Sequence, residues 1–126
     1  MIRVLSPVNG LNEVGPLLDA GAEEFYCGVM PATWKKQYSN VASPNRREWA
    51  AANLNDFDAV AQIAAAAHKK KVRVFLTMNA LYSEGQYREI EGFIAKAVQC
   101  GVDAVIVADL GLLLGLRKMG WKKDIH

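Results

Sequence analysis

Few side chains in this sequence combine a chemically useful type with a useful position, and those that do stand just after short apolar runs. Asp109 closes "AVIVAD" before "LGLLLGL", Thr77 and Asn79 close "VRVFLTMN", Ser6, Pro7, Asn9 and Gly10 follow "IRVL", and Cys27 and Gly28 follow "EFY". A carboxylate, hydroxyls and amides at such joints can hydrogen-bond and orient a substrate. The same residues also have plain structural uses: Asp109 can accept from the first amides of the helix after it, and Asn79 can close an Asx turn. Residues 28–53 form a longer connection than the ~2–6 residues usual between a strand and a helix. Its sequence, "VMPATWKKQYSNVASPNRREWAAAN", sets Trp34, Tyr38 and Trp49 among Lys35, Lys36, Arg46 and Arg47. That mixture can stack on a flat group and pair with an anion. The alternative is that the aromatics pack the loop onto the core, with Trp49 turned inward by a short helix over 46–52.

A nucleophile is harder to assemble. His68 falls at the far end of its helix from Cys27 and Asp109, so no Cys-His or Ser-His-Asp set forms. HExxH, CxxC, P-loop and GxGxxG patterns are missing from the sequence, and Cys27 and Cys100 have no metal-ligand spacing. They read as small buried hydrophobes. A metal site is not expected.

The elements that must position these residues repeat one joint. "LLDAGAEEFYCG" and "AVQCGVDAVIVAD" superpose when Gly21 is aligned with Gly101, and "AAHKKKVRVFLT" is a weaker third copy. Each is a helix end, a polar or Gly break, and a β-branched or aromatic run, and Gly21 and Gly101 sit where a helix end needs positive φ. Ile90, Phe93, Ile94, Ala97 and Val98 keep the i, i+3, i+4, i+7, i+8 spacing of a helix lying on a sheet. Ser83 with Gln86 makes a capping box, Asn45 with Glu48 a weaker one, and Asn55 or Asp56 starts an Ala-rich helix. The pattern predicts strands over 2–6, 24–27, 72–77 and 104–108 and helices over 11–20, 56–70, 86–100 and 111–118. A fifth strand begins near Asp124. Such alternation implies right-handed crossovers and a parallel sheet. A complete barrel of eight units needs ~250 residues, so residues 1–126 read as a single α/β unit, a parallel (βα)4 half of a TIM-type barrel completed by association. A small doubly wound domain is the alternative.

Composition sets outer bounds. The chain has 126 residues, 52% hydrophobic and 22% charged, with net charge +2, pI near 8.6 and mean hydropathy +0.03. That bias is too mild for a nucleic-acid footprint, where a pI above ~9 with clustered cations is usual. The clusters at 69–71 and 117–123 fall at helix C-termini and complement the macrodipole; RNA contact is the lesser alternative. The longest apolar run, 102–116, is broken by Asp103 and Asp109, short of the ~20 residues of a membrane span. No signal-peptide pattern is evident, and a cytoplasmic location without membrane contact is expected.

The segments "VLSPVNGLNEVGPLLDAGAEEFYCGV", "NRREWAAANLNDFDAV", "AHKKKVRVFLTMNALY" and "CGVDAVIVADLGLL" stand in the order and rough spacing of the N-terminal half of the U-32 peptidases, the collagenase-like proteins, which this chain resembles over nearly its whole length. The resemblance implies a TIM-type barrel and a choice of activities. Some members are described as collagenase-like peptidases, and others are iron-sulfur proteins of oxygen-independent hydroxylation of RNA or ubiquinone. It places Asn79, Asp109, Arg47 and Asn53 at motif positions; with Asn9 and Thr77 from the strand ends, they are the substrate-binding candidates. The family's first loop usually reads Pro-Ala-Gly where this chain has Pro7-Val8-Asn9-Gly10, and Leu54 replaces an aromatic after Asn53. The family's cluster-binding cysteines belong downstream, and Cys27 and Cys100 do not match them. This chain by itself is therefore expected to hold no cofactor and to be inactive. A non-catalytic half-barrel that self-associates through its sheet edges is a further reading, so the expected partner is a second copy or a C-terminal half, with a peptide or RNA as substrate.

Overall fold

The computed structural model describes residues 2–38, 42–47 and 50–126. Five strands, β1 (Leu5–Pro7), β2 (Glu24–Cys27), β3 (Arg73–Met78), β4 (Ala104–Val107) and β5 (Asp124–Ile125), form one parallel sheet in sequential order. Helices α1 (Val14–Asp19), α2 (Ala32–Tyr38), α3 (Phe57–His68), α4 (Tyr87–Gln99) and α5 (Leu110–Lys118) lie between them. Sequential order with crossovers of one hand keeps the helices on one face, which removes the doubly wound alternative, whose strand order reverses. Among the described residues the sheet is open, with β1 and β5 each paired on one side only.

Four corners carry the chain from helix back to strand by the same device. At each, one amide just beyond the helix reaches back five residues and the one before it reaches back three: Ala22 to Leu17 and Gly21 to Leu18, Val72 to Ala67 and Lys71 to His68, Val102 to Ala97 and Gly101 to Val98, Trp121 to Leu116 and Gly120 to Arg117. This Schellman pattern needs a left-handed residue at its second-last position. Gly21, Gly101 and Gly120 supply it at φ 94°, 79° and 72°, while Lys71 adopts φ 60° against its Cβ. Lys71→Gly is therefore expected to raise the unfolding free energy by up to ~1 kcal/mol, read as a higher urea midpoint with an unchanged slope.

Phe25, Cys27, Val74, Leu76, Met78 and Val105 point to the helices and join Ile63, Ile90, Phe93 and Leu116 in the core. Strand alternation sends Glu24, Tyr26, Arg73, Phe75, Thr77 and Ala104 to the opposite, inner face. Arg3, Glu24, Arg73 and Asp124 form a ladder of ion pairs across that face, and the Arg73 guanidinium and the His126 ring cover Phe75.

Two expectations need correcting. The first strand begins at Leu5, not at residue 2, because its partner β2 offers register only from Glu24 onward. The connection 28–53 is no bare loop: α2 occupies part of it, and of the described residues of the expected 46–52 helix only Ala50–Ala52 are helical, as a 3-10 turn. Glu48 and Trp49 lie outside the described residues.

Candidate functional site

The strand ends converge on a rim built of amides, tyrosines and one guanidinium. Asp109 caps α5, its Oδ1 accepting from the Leu112 amide at 2.8 Å and the Tyr87 hydroxyl at 2.7 Å. Its Oδ2 accepts from the Tyr82 amide at 3.1 Å. Burial would push the carboxyl pKa up, but hydrogen bonds from Tyr87 and from the Leu112, Tyr82 and Gly111 amides outweigh it and hold the pKa below its ordinary value. Tyr82, fixed in this way, donates its hydroxyl to the Pro44 carbonyl at 2.6 Å. A carboxylate at the end of β4 thereby fastens the long connection.

Four asparagines continue the fastening. Asn79 Oδ1 accepts from the Arg46 amide at 3.0 Å. Asn45 is buried, accepts from the Arg47 amide at 2.9 Å and donates to Asn53 Oδ1 at 2.7 Å. Asn53 donates back to the Arg47 carbonyl, and Arg47 donates to Asn9 Oδ1 and, from Nε, to the Ala52 carbonyl at 2.8 Å. The guanidinium lies over the Tyr26 ring, 5.1 Å from its centroid. Gly28 makes this close approach feasible, since a Cβ there would fall 2.5 Å from Asn53 Oδ1 and 2.8 Å from Asn45 Nδ2.

Asn9, Arg47, Asn53, Asn79 and Asp109 thus share one connected network. Thr77 stands apart from it, donating its hydroxyl to the Cys27 carbonyl at 3.0 Å and tying β3 to β2. Asn45 departs from the expected capping box: its oxygen closes an Asx turn on the residue two along, and the box partner Glu48 is outside the described residues. Ser83 and Gln86 do form their box. Trp34 and Tyr38 are no stacking platform. Trp34 is fully buried, 5.7 Å from Phe93 and 4.6 Å from Tyr38 between ring centroids.

Sequence reasoning missed Tyr26, Tyr82 and Tyr87. Tyr26 had a usable signal, the inward register of β2; the two hydroxyl contacts had none, because they join residues 22 and 38 apart in sequence. Burial pushes the Cys27 thiol up to about 12, the nearby Arg47 charge pulling the other way, so the reactive thiolate is disfavoured. His68 pairs with Asp103 at 2.8 Å at the opposite end of the sheet. Among the described residues no group of three or more His, Cys, Asp or Glu side chains is placed to hold a metal ion, and no helix is long and apolar enough to cross a membrane.

Residues 9–126 match the sequence profile of Peptidase family U32. The chain belongs to this family. An uncharacterized protease of Methanocaldococcus jannaschii is 30% identical over 122 residues, which is 93% of this chain but 26% of that protein. A 23S rRNA 5-hydroxycytidine synthase of Escherichia coli is 30% identical over 59 residues, 47% of the chain and 9% of the enzyme. The chain therefore spans about a quarter or less of these relatives. Among solved structures, the U32 peptidase Mk0906 superposes with TM-score 0.62 at 17% identity, over 99% of this chain and 47% of that one. Phosphoribosylanthranilate isomerase of Thermotoga maritima superposes with TM-score 0.60 at 13% identity, over 99% and 50%. These two likenesses concern the fold, and each matches about half of the longer chain, as a half-barrel would.

Proposed function

We propose that this U32 chain supplies the binding rim of a collagenase-like peptidase site, with the bond-breaking groups contributed from outside these residues. The observation that carries the reading is the rim itself: Arg47, four asparagine side chains and Asp109 form one network at the C-terminal ends of parallel strands, where such sheets bind ligands. The chemistry of that network is orientation. Its hydrogen-bonding groups fix a substrate backbone, while the neutral, buried Cys27 thiol is unsuited to attack. In the same reading the open β1 and β5 edges are covered, by further strands of the domain or by a second copy of the chain.

The test is gelatin-peptide hydrolysis by the 126-residue chain and by a longer form extended past His126 with the second half of a U32 barrel. The longer form is expected to turn over and the chain alone to be inactive; equal turnover by both would overturn the half-site reading. The Escherichia coli relative supports a second reading, hydroxylation of ribosomal RNA. Loss of 5-hydroxycytidine from rRNA on removing the protein, with no peptide turnover, would favour it.

A further inference from the structure

Arg47 is a half-buried cation that no carboxylate neutralises among the described residues, where the ion pairs involve Arg3, Arg73 and His68. A charge withdrawn from water without a counterion is costly, and three contacts hold it there all the same. Nε is fixed by the Ala52 carbonyl and Nη2 by Asn9, while the Tyr26 ring supports the guanidinium plane. Of the five N–H donors of an arginine, these contacts use two. The others lie on Nη1 and Nη2, the end of the group, and meet no partner among the described residues. That end is the fork that takes two oxygens of one anion side by side.

We infer that Arg47 is a carboxylate anchor, its end-on fork binding one carboxylate of a peptide at the mouth of the half-barrel. This rests on the peptidase reading and adds to it the charge of the substrate and the side chain that reads it. A single supported guanidinium among neutral amides suits one carboxylate. An RNA backbone would call for a row of cations, and the longest run of them, Lys69 to Lys71, follows the C-terminal end of α3, away from the rim. Because Asn9, Tyr26 and the Ala52 carbonyl already hold the group flat, little side-chain freedom is left to lose on binding.

The test is an NMR titration of the chain with N-acetyl-Gly-Pro-Ala as its free acid, with the same peptide as its C-terminal amide, with inorganic phosphate and with an oligouridine. The acid is expected to bind at least about tenfold more tightly than the amide, with shifts centred on Arg47, Tyr26 and Asn9. Arg47→Lys, which keeps the charge and loses the fork, should weaken the acid several-fold, and Arg47→Gln should erase the difference between acid and amide. Equal binding of acid and amide would overturn the inference, as would tighter binding of oligouridine or of phosphate at the same residues. If Arg47→Gln unfolds the chain, the acid and amide titrations of the unaltered chain decide alone. Arg47-dependent acid binding without gelatin turnover in the longer form would sink the peptidase reading and keep the anchor; turnover unaffected by Arg47→Lys, with acid and amide bound alike, would do the reverse.

Discussion

Asp109→Ala is expected to lower the unfolding free energy by about 2–4 kcal/mol and to loosen the Pro44 segment in the same step. The substitution removes the cap of α5, a loss of ~1 kcal/mol. It also leaves the Tyr82 amide, hydrogen-bonded in a buried position to Asp109, without a partner, which costs a further ~1–3 kcal/mol. Tyr82 would then be free to shift, and its hydroxyl bond to the Pro44 carbonyl with it. The pH dependence has a definite sign. Asp109 has a lowered folded pKa, so its contribution is complete above the ordinary carboxylate value of ~3.9 and is lost as pH falls through the lowered folded value. Asp109→Asn, which cannot ionise, should close its stability gap to the unaltered chain as the solution is acidified. Urea unfolding at neutral and acid pH checks both statements, and an undiminished gap in acid would contradict the second.

The second large effect belongs to Trp34. Its indole is fully buried between α2 and α4, and Nε1 donates to the Ala42 carbonyl at 2.9 Å. Trp34→Ala should cost about 3–5 kcal/mol, a large share of the ~5–15 kcal/mol that holds a domain together. Trp34→Phe should cost less, since a ring still meets Phe93 while the indole N–H bond is lost. A change under ~1 kcal/mol on Trp34→Ala would mean that the connection 28–53 rests on the surface and that its aromatics are free to face a ligand.

The corners were the most legible part of the molecule. A glycine after a helical stripe and before a β-branched run is a local signal, and Gly21 and Gly101 take the positive φ it implies; Lys71 takes it too, with no glycine to announce it. The Asp109 cap and the Ser83 box were legible for the same reason. The α2 helix was hidden because seven residues give too few turns for a periodic stripe, although Trp34 and Tyr38 do stand at i, i+4. The start of β1 depended on where its parallel partner begins, which no local pattern records. The rim was half visible. Asn9, Arg47, Asn53, Asn79 and Asp109 could be selected by their place after strands or by the family resemblance, but their connections through Asn45, Tyr82 and Pro44 span up to 38 residues and exist only in the folded chain.

The central claim is that this connection is fastened to the strand ends as one preformed rim, and amide hydrogen exchange of the chain tests it most directly. The Arg46 and Arg47 amides, bonded to Asn79 and Asn45, and the Tyr82 amide, bonded to Asp109, are predicted to be protected together and to lose protection together in Asp109→Ala while β2 and β3 stay protected. Exchange of the Arg46 and Arg47 amides at free-peptide rates in the unaltered chain, under a fully protected sheet, would contradict the account.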